Sequence, residues 1–352
     1  MARKRMKSKI QPSVQSMLFR TPTVPAAVTD SEGDVTPGTG IHYIDLSQCA
    51  SLMNRRFYRQ GINWAVSSFK ILSAGFEGVC IINKLPNTWV MSNAWEKSFR
   101  AWQQMIKNAT EEFGSESVKG KFLDFKIYAN AGHHSVGYDA NLLPIDSGLN
   151  TAARGQWDPS SIEVPETTTA TGASTEYELI AVGPNNPGAG ASGLDAKSLI
   201  AGYSNSRSLP SITDPNVPDD SASYSENWML AMFNDGTLQD SSVLDTLELE
   251  GNQPPYPYEN SQIPGAAPGT VYTDTMYPGG DNNLPALQVH DYEIITTTTV
   301  GGSTNLKGGN FPCGLIEVFL QNSTNLARSV IIQVDLVPGH HRGYLCEPMT
   351  EM

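Results

Sequence analysis

Fifteen of the chain's 23 prolines fall between residues 131 and 290, and the β-forming runs lie on either side of that stretch. Proline fixes φ and removes a backbone donor, so neither a long helix nor a central strand can run through such a segment. Strands at both ends of the chain must therefore find one another across a long gap. A two-sheet sandwich with loops of very unequal length satisfies that demand.

The strand signals are clearest after the gap. Leu287 to Thr299, Gly314 to Gln321 and Ser329 to Val337 read as strands separated by Gly- and Asn-rich turns. The run from Val330 to Val337 is nearly continuous in apolar residues and suits a central strand. Before the gap, Ile41 to Leu46 alternates as a strand. Two apolar runs, Trp64 to Leu72 and Val79 to Leu85, follow, with Gly75 and Gly78 between them as in a hairpin or bulged connection.

One segment breaks the β pattern. After Pro86, the residues Trp89, Met91, Ala94, Trp95, Ser98, Phe99, Trp102, Met105 and Ile106 recur at three- and four-residue steps. That spacing predicts a helix of about five turns, its aromatic stripe packed on a core. Phe122 to Tyr128 returns to period two, as a strand.

Within the proline-rich stretch, Tyr177 to Val182 reads as a strand, and Leu194 to Tyr203 and Val243 to Leu249 as short helices. Trp157, Trp228 and Phe233 would be wasted on a disordered segment, so ordered loops or a small surface subdomain are expected. The stretch holds 20 acidic against three basic residues, Arg154, Lys197 and Arg207.

The other end of the charge balance is the N-terminus. Arg3, Lys4, Arg5, Lys7, Lys9 and Arg20 all precede the first acid, Asp30, on a chain of formal charge -13. Residues 1–40 are otherwise rich in Gln, Ser, Thr, Pro and Gly and read as a disordered arm. A short basic tether on an acidic body points to nucleic acid or an anionic surface. Arg55, Arg56 and Arg59 follow the first strand and join the arm as candidate nucleic-acid-binding residues.

Catalytic and metal chemistry find little support. No P-loop, GxSxG elbow, HExxH or CxxC occurs. Cys49, Cys80, Cys313 and Cys346 are widely spaced and read as reduced thiols of a reducing compartment. Asp146-Ser147-Gly148 reads as a turn. His133-His134 and His340-His341 are adjacent pairs, and neighbours on a strand point to opposite faces. With Arg342 beside it, the second pair is placed to contact phosphate if that strand end faces nucleic acid. No apolar run is long enough to span a bilayer. No enzyme, cofactor, metal or membrane partner is expected.

Two stretches carry a family resemblance. Leu85-Pro86-Asn87-Thr88-Trp89-Val90-Met91-Ser92-Asn93-Ala94-Trp95, continuing through Trp102, and Pro338-Gly339-His340-His341-Arg342-Gly343-Tyr344 cover about a fifth of the chain. Together with the arm and the acidic loops they resemble single-jelly-roll capsid proteins of circular, replication-initiator-encoding single-stranded DNA viruses, especially environmental and marine ones. The resemblance implies an all-β fold, an eight-stranded viral jelly roll of two antiparallel sheets with long loops and an inserted helix. It also implies an icosahedral homo-oligomer, single-stranded DNA as partner, a host receptor of unknown kind, and residence in the virion and, during assembly, the host nucleus. Expected boundaries are an arm at 1–40, a shell domain at 41–338 with acidic loops at 131–290, and a tail at 339–352.

The arm is shorter than those of circoviral coats. Six charges per subunit amount to roughly 360 in a shell of about 60 copies, too few for a genome of a few thousand phosphates. A larger shell, as in bacilladnavirus-like coats, is one answer. The rival readings are a small RNA-virus coat of the same fold and a non-viral β-sandwich that binds carbohydrate through aromatics such as Trp157 or Tyr256.

Overall fold

The computed structural model describes residues 13–73, 75–113, 124–166, 173–185, 188–207, 228–229, 232, 286–298 and 302–352. The chain is mostly β-strand in largely antiparallel sheets, with few helices. In chain order come β1 (Ser16–Arg20), β2 (Val28–Thr29), β3 (Val35–Thr36), β4 (Gly38–Asp45), α1 (Leu46–Asn54), β5 (Ile62–Leu72), β6 (Gly78–Lys84), α2 (Trp89–Phe113) and α3 (Ala131–Val136). Next are β7 (Ser161–Glu166), β8 (Ala173–Ile180), β9 (Ala196–Ser198), α4 (Leu199–Arg207), β10 (Gln288–Ile295), β11 (Ser303–Phe311) and β12 (Leu315–Asn322). The chain closes with β13 (Ile331–Leu336), β14 (Pro338–Gly339), β15 (Gly343–Tyr344) and β16 (Cys346–Pro348).

Two units make up the chain. One comprises Met1–Lys84, Asn141–Gln156 and Val289–Pro348; the other comprises Leu85–Ala140, Trp157–Gln288 and Met349–Met352. The first holds two sheets, ordered β1-β13-β5-β11 and β10-β6-β12-β4, with β16 also pairing β5. Strand alternation builds its core. In β13, Ile332, Val334 and Leu336 point inward while Ile331, Gln333 and Asp335 point away. Phe69 and Ile71 of β5 join them, and Cys80 and Ile82 of β6 and Ile316, Val318 and Leu320 of β12 belong to the same cluster. Phe69 meets Phe311 edge-on with ring centroids 5.4 Å apart.

Several expectations need correction. The first strand is not at Ile41. β1 pairs with β13 from Ser16↔Asp335 to Arg20↔Ile331, and Met17 and Phe19 are buried. Residues 13–40 of the expected arm are therefore structured, and residues 1–12 lie outside the described residues. The misreading is physical: Ser, Thr and Pro surround Met17-Leu18-Phe19, and a strand of five residues with two inward side chains has little local signal.

β5 and β6 do not form a hairpin. They lie in different sheets, so Gly75 and Gly78 serve a crossover between layers. A Cβ on Gly78 would fall 1.7 Å from the Gln321 carbonyl oxygen, which is why only glycine fits there. The Gly- and Asn-rich run before β12, expected as a turn, is strand β11, paired with β5 over its whole length. A Cβ on Gly308 would meet the Val66 and Ser67 carbonyl oxygens at 2.2 Å. Here too, glycine marks a close backbone approach rather than a turn. The expected tail at 339–352 is structured: Cys346↔Trp64 to Pro348↔Ile62 adds β16 to β5.

The second unit is built around α2, which runs for 25 residues, about seven turns. Its expected stripe is a packed face: Trp95, Phe99 and Trp102 stack along it, and Phe125 contacts all three rings at 5.5–5.9 Å. Ser92 Oγ donates to the Met349 carbonyl at 2.6 Å, tying the last residues to this helix. Residues 124–127 are irregular, and Tyr128 makes only an isolated bridge to Ile180, so the strand expected at Phe122 to Tyr128 does not form among the described residues. β8 begins earlier than expected and pairs β7 and β9, and the helix expected from Leu194 begins at Leu199 after β9. The helix expected at Val243 to Leu249 lies outside the described residues.

The division into units is also a division of charge. The unit carrying the N-terminus has 15 basic and 11 acidic residues, whereas the inserted unit has 8 basic and 25 acidic. Within the inserted unit the acid excess lies after residue 131, since residues 85–130 hold six basic and five acidic residues.

Candidate nucleic-acid interface

The N-terminal chain is seated where three segments meet. Asn54, the last residue of α1, accepts a hydrogen bond from the Val14 amide through Oδ1 at 3.0 Å. Its Nδ2 donates to the Tyr344 hydroxyl at 2.7 Å, and that hydroxyl donates to the Val14 carbonyl at 2.5 Å. Gln15 Nε2 donates to the Gly343 carbonyl at 3.1 Å. The Val14 amide and carbonyl and the Gln15 side-chain amide nitrogen are thereby matched to α1 or to the β14–β15 hairpin.

Basic residues surround this seat. α1 is capped at its start by Asp45, whose carboxylate accepts from the Ser47 and Gln48 amides, and ends at Arg55 in the left-handed region with φ 52°. The loop that follows carries Arg55 and Arg59 exposed and Arg56 half-buried. Facing it, the hairpin turn presents His340, His341 and Arg342, all exposed.

Tyr58 joins the two sides. Its hydroxyl donates to the Arg342 carbonyl at 3.1 Å, and the Arg342 guanidinium donates to the Phe57 carbonyl. The Arg342 guanidinium carbon lies 6.0 Å from the Tyr58 ring centroid, within cation–π range, and the Tyr344 ring meets Tyr58 edge-on at 5.5 Å. Burial pushes the Tyr58 hydroxyl's pKa up, and Arg56 and Arg342 pull it part of the way back. The His341 imidazole, 6.4 Å from Tyr58, is pushed below the usual histidine value by burial and then by Arg342. Chemically the place is a set of guanidinium and imidazole groups on a rigid aromatic base, suited to phosphate oxygens.

Of the sequence-derived candidates, Arg55, Arg56 and Arg59 share one loop beside the arm root. Arg3, Lys4, Arg5, Lys7 and Lys9 lie outside the described residues. Arg20 is not brought to this place. It sits exposed at the far end of β1, six residues and about 20 Å of extended chain from Val14. Asn54, Gln15, Tyr58 and Tyr344 escaped sequence reasoning, because a tyrosine near a C-terminus gives no local sign of what its hydroxyl will reach.

The other candidates resolve into structure. Asp146 Oδ1 accepts from the Gly148 and Asn150 amides in a turn, and backbone and side-chain bonds from Asn150 hold its pKa below the ordinary value. His133 and His134 are buried in the inserted unit, where His134 Nε2 lies 2.9 Å from Glu178 Oε2. Among the described residues no group of three or more His, Cys, Asp or Glu is placed to hold a metal ion, and no helix is long and apolar enough to cross a membrane. No family model matches the chain, and neither a curated protein nor a solved structure matches it.

Proposed function

We propose that this chain is the capsid subunit of a small single-stranded DNA virus, an eight-stranded jelly roll that assembles into an icosahedral shell and recruits its genome through the basic N-terminal segment. The observation that carries the reading is the strand order. Consider eight strands paired first with eighth, second with seventh, third with sixth and fourth with fifth, then wrapped so that successive pairs alternate between two layers. One sheet then reads 1-8-3-6 and the other 2-7-4-5, the order of a jelly roll with two Greek keys. Numbered in chain order, the eight strands on the paths of the two sandwich sheets, β1, β4, β5, β6, β10, β11, β12 and β13, stand as 1-8-3-6 and 5-4-7-2, with β16 off the path beside β5.

The charge division supports the same reading. A subunit with its positive charge on the sandwich unit and its negative charge on an insertion has one part suited to a polyanion and one that repels it. Six positives before Asp30 recruit and tether a strand without condensing a genome alone.

Electron microscopy of the purified full-length protein tests the assembly, and nuclease digestion of any co-purifying nucleic acid tests its class. Uniform closed particles protecting DNase-sensitive, single-stranded material are expected. A protein that stays monomeric at high concentration overturns the shell, and protected RNA overturns the genome assignment.

A further inference from the structure

We propose that the folded sandwich unit carries its own binding site for a single-stranded phosphodiester backbone, formed at the arm root by Arg55 and Arg56 of the α1–β5 loop and Arg342 of the β14–β15 turn, and acting in addition to the basic arm. The inference rests on the packaging function proposed above and adds to it a fixed site with named ligands.

Three features of the place argue for it. First, two segments far apart in sequence bring arginines to one residue. Arg342 lies over the Tyr58 ring, Arg56 is near enough to the Tyr58 hydroxyl to lower its pKa, and Arg55 adjoins Arg56. Like charges repel, so bringing them together is favoured only when an anion or well-placed acceptors offset it. Among the described residues no ion pair involves Arg55 or Arg342.

Second, the backbone at these positions asks for a different residue. Arg55 and Arg342 are two of the four described non-glycine residues with positive φ, at 52° and 51°. That region favours glycine or asparagine, which would relieve the strain in both turns. Arginine at both places is unexplained by local conformation and is accounted for by its guanidinium.

Third, the site is rigid and continuous with the arm. The Tyr344, Asn54 and Val14 hydrogen bonds fix the arm root beside it, so a strand captured by the arm is delivered to these three side chains. Planar guanidinium groups held on a packed aromatic base lose little freedom when they bind phosphate oxygens.

The test uses the full-length chain with Arg55→Gln, Arg342→Gln and the double variant, plus the double lysine variant that keeps the charge. Binding of a labelled oligothymidylate of about 20 nucleotides is followed by anisotropy over roughly 50–300 mM salt. The slope of log affinity against log salt is expected to fall by about 0.7 for each arginine removed, and to be retained in the lysine variant. An unchanged slope in the double glutamine variant overturns the site, leaving the arm as the binder. A thermal melt of each variant separates this from a structural role: if Arg342 serves only to hold Phe57, its loss lowers the midpoint and leaves the slope alone. Micrographs of the parent protein separate the two proposals. No particles and no oligonucleotide binding defeats the packaging reading, whereas nucleic-acid-filled particles with an unchanged double-variant slope defeat only this site.

Discussion

The hydroxyl of Tyr344 donates to the backbone carbonyl of Val14, joining the two ends of the chain 330 residues apart. Asn54 completes the junction from the end of α1. Tyr344→Phe removes the bridging hydroxyl and leaves both partners short of a bond, at a cost of about 1–2 kcal/mol. The variant should melt lower and be cleaved faster near Val14 in limited proteolysis. Its salt slope for oligonucleotide binding should not change, since no charge is lost.

His341 should give two opposite responses to acid. Its folded pKa lies below the ordinary 6.5, so the unfolded chain binds the proton first. Its contribution to stability is therefore present above 6.5 and is lost as pH falls below that value. A phosphate at the arm root reverses the preference, because it favours the imidazolium. Oligonucleotide affinity should rise as pH falls from 7.5 towards about 5.5 while the free protein becomes less stable. His341→Gln should reduce both trends, read by anisotropy and by thermal melts across pH.

The four cysteines should be silent in the native protein. Burial pushes the Cys80 and Cys346 thiols up to about 12, and raises Cys49 and Cys313 well above the ordinary thiol value, with Asp45 adding to the rise in both. Alkylation requires the thiolate. Iodoacetamide at mildly alkaline pH should leave all four unmodified by mass spectrometry, and denaturant should release all four. Rapid labelling of Cys80 in the native state would contradict this packing.

Phe69 tests the sandwich core. It is fully buried on β5, between the β13 and β11 partners, and meets Phe311 edge-on. Phe69→Ala should cost about 3–5 kcal/mol by lost burial and the cavity left behind. Both the melting temperature and the yield of particles should fall, with no change in salt slope for the protein that remains folded.

The inserted unit has its own weak point in the His134–Glu178 contact, whose side chains are 1% and 3% exposed. Removing the Glu178 carboxyl leaves the buried His134 ring nitrogen facing an apolar side chain, at about 1–3 kcal/mol. Glu178→Leu should raise hydrogen exchange in α3, β8 and β9 and leave β5 and β13 protected. Uniform loss of protection through the chain would show that the two units unfold together.

What could be read from the sequence follows the range of the forces involved. β12, β13 and α2 announced themselves, because period two and period 3.6 are properties of neighbouring residues. β1 and β11 did not. The first is short and flanked by turn-forming residues, and the second uses Gly308 and Gly309 to clear the Val66 and Ser67 carbonyls and the His290 ring, a demand set by partners far away in sequence. The site divides in the same way. Arg55, Arg56 and Arg59 were found by charge alone, whereas the Tyr344 and Asn54 seat depends on where two chain ends meet.

The long chain between β6 and β10 is where the sandwich can best tolerate a change of length. Those strands are neighbours in their sheet, and the chain between them returns to the sandwich unit at Asn141–Gln156. Loop-closure entropy grows only with the logarithm of length, so residues can be gained or lost there at little cost to the sandwich. Shortening the chain of the second unit should therefore leave the strand ladder and the Tyr344–Val14 seat able to form.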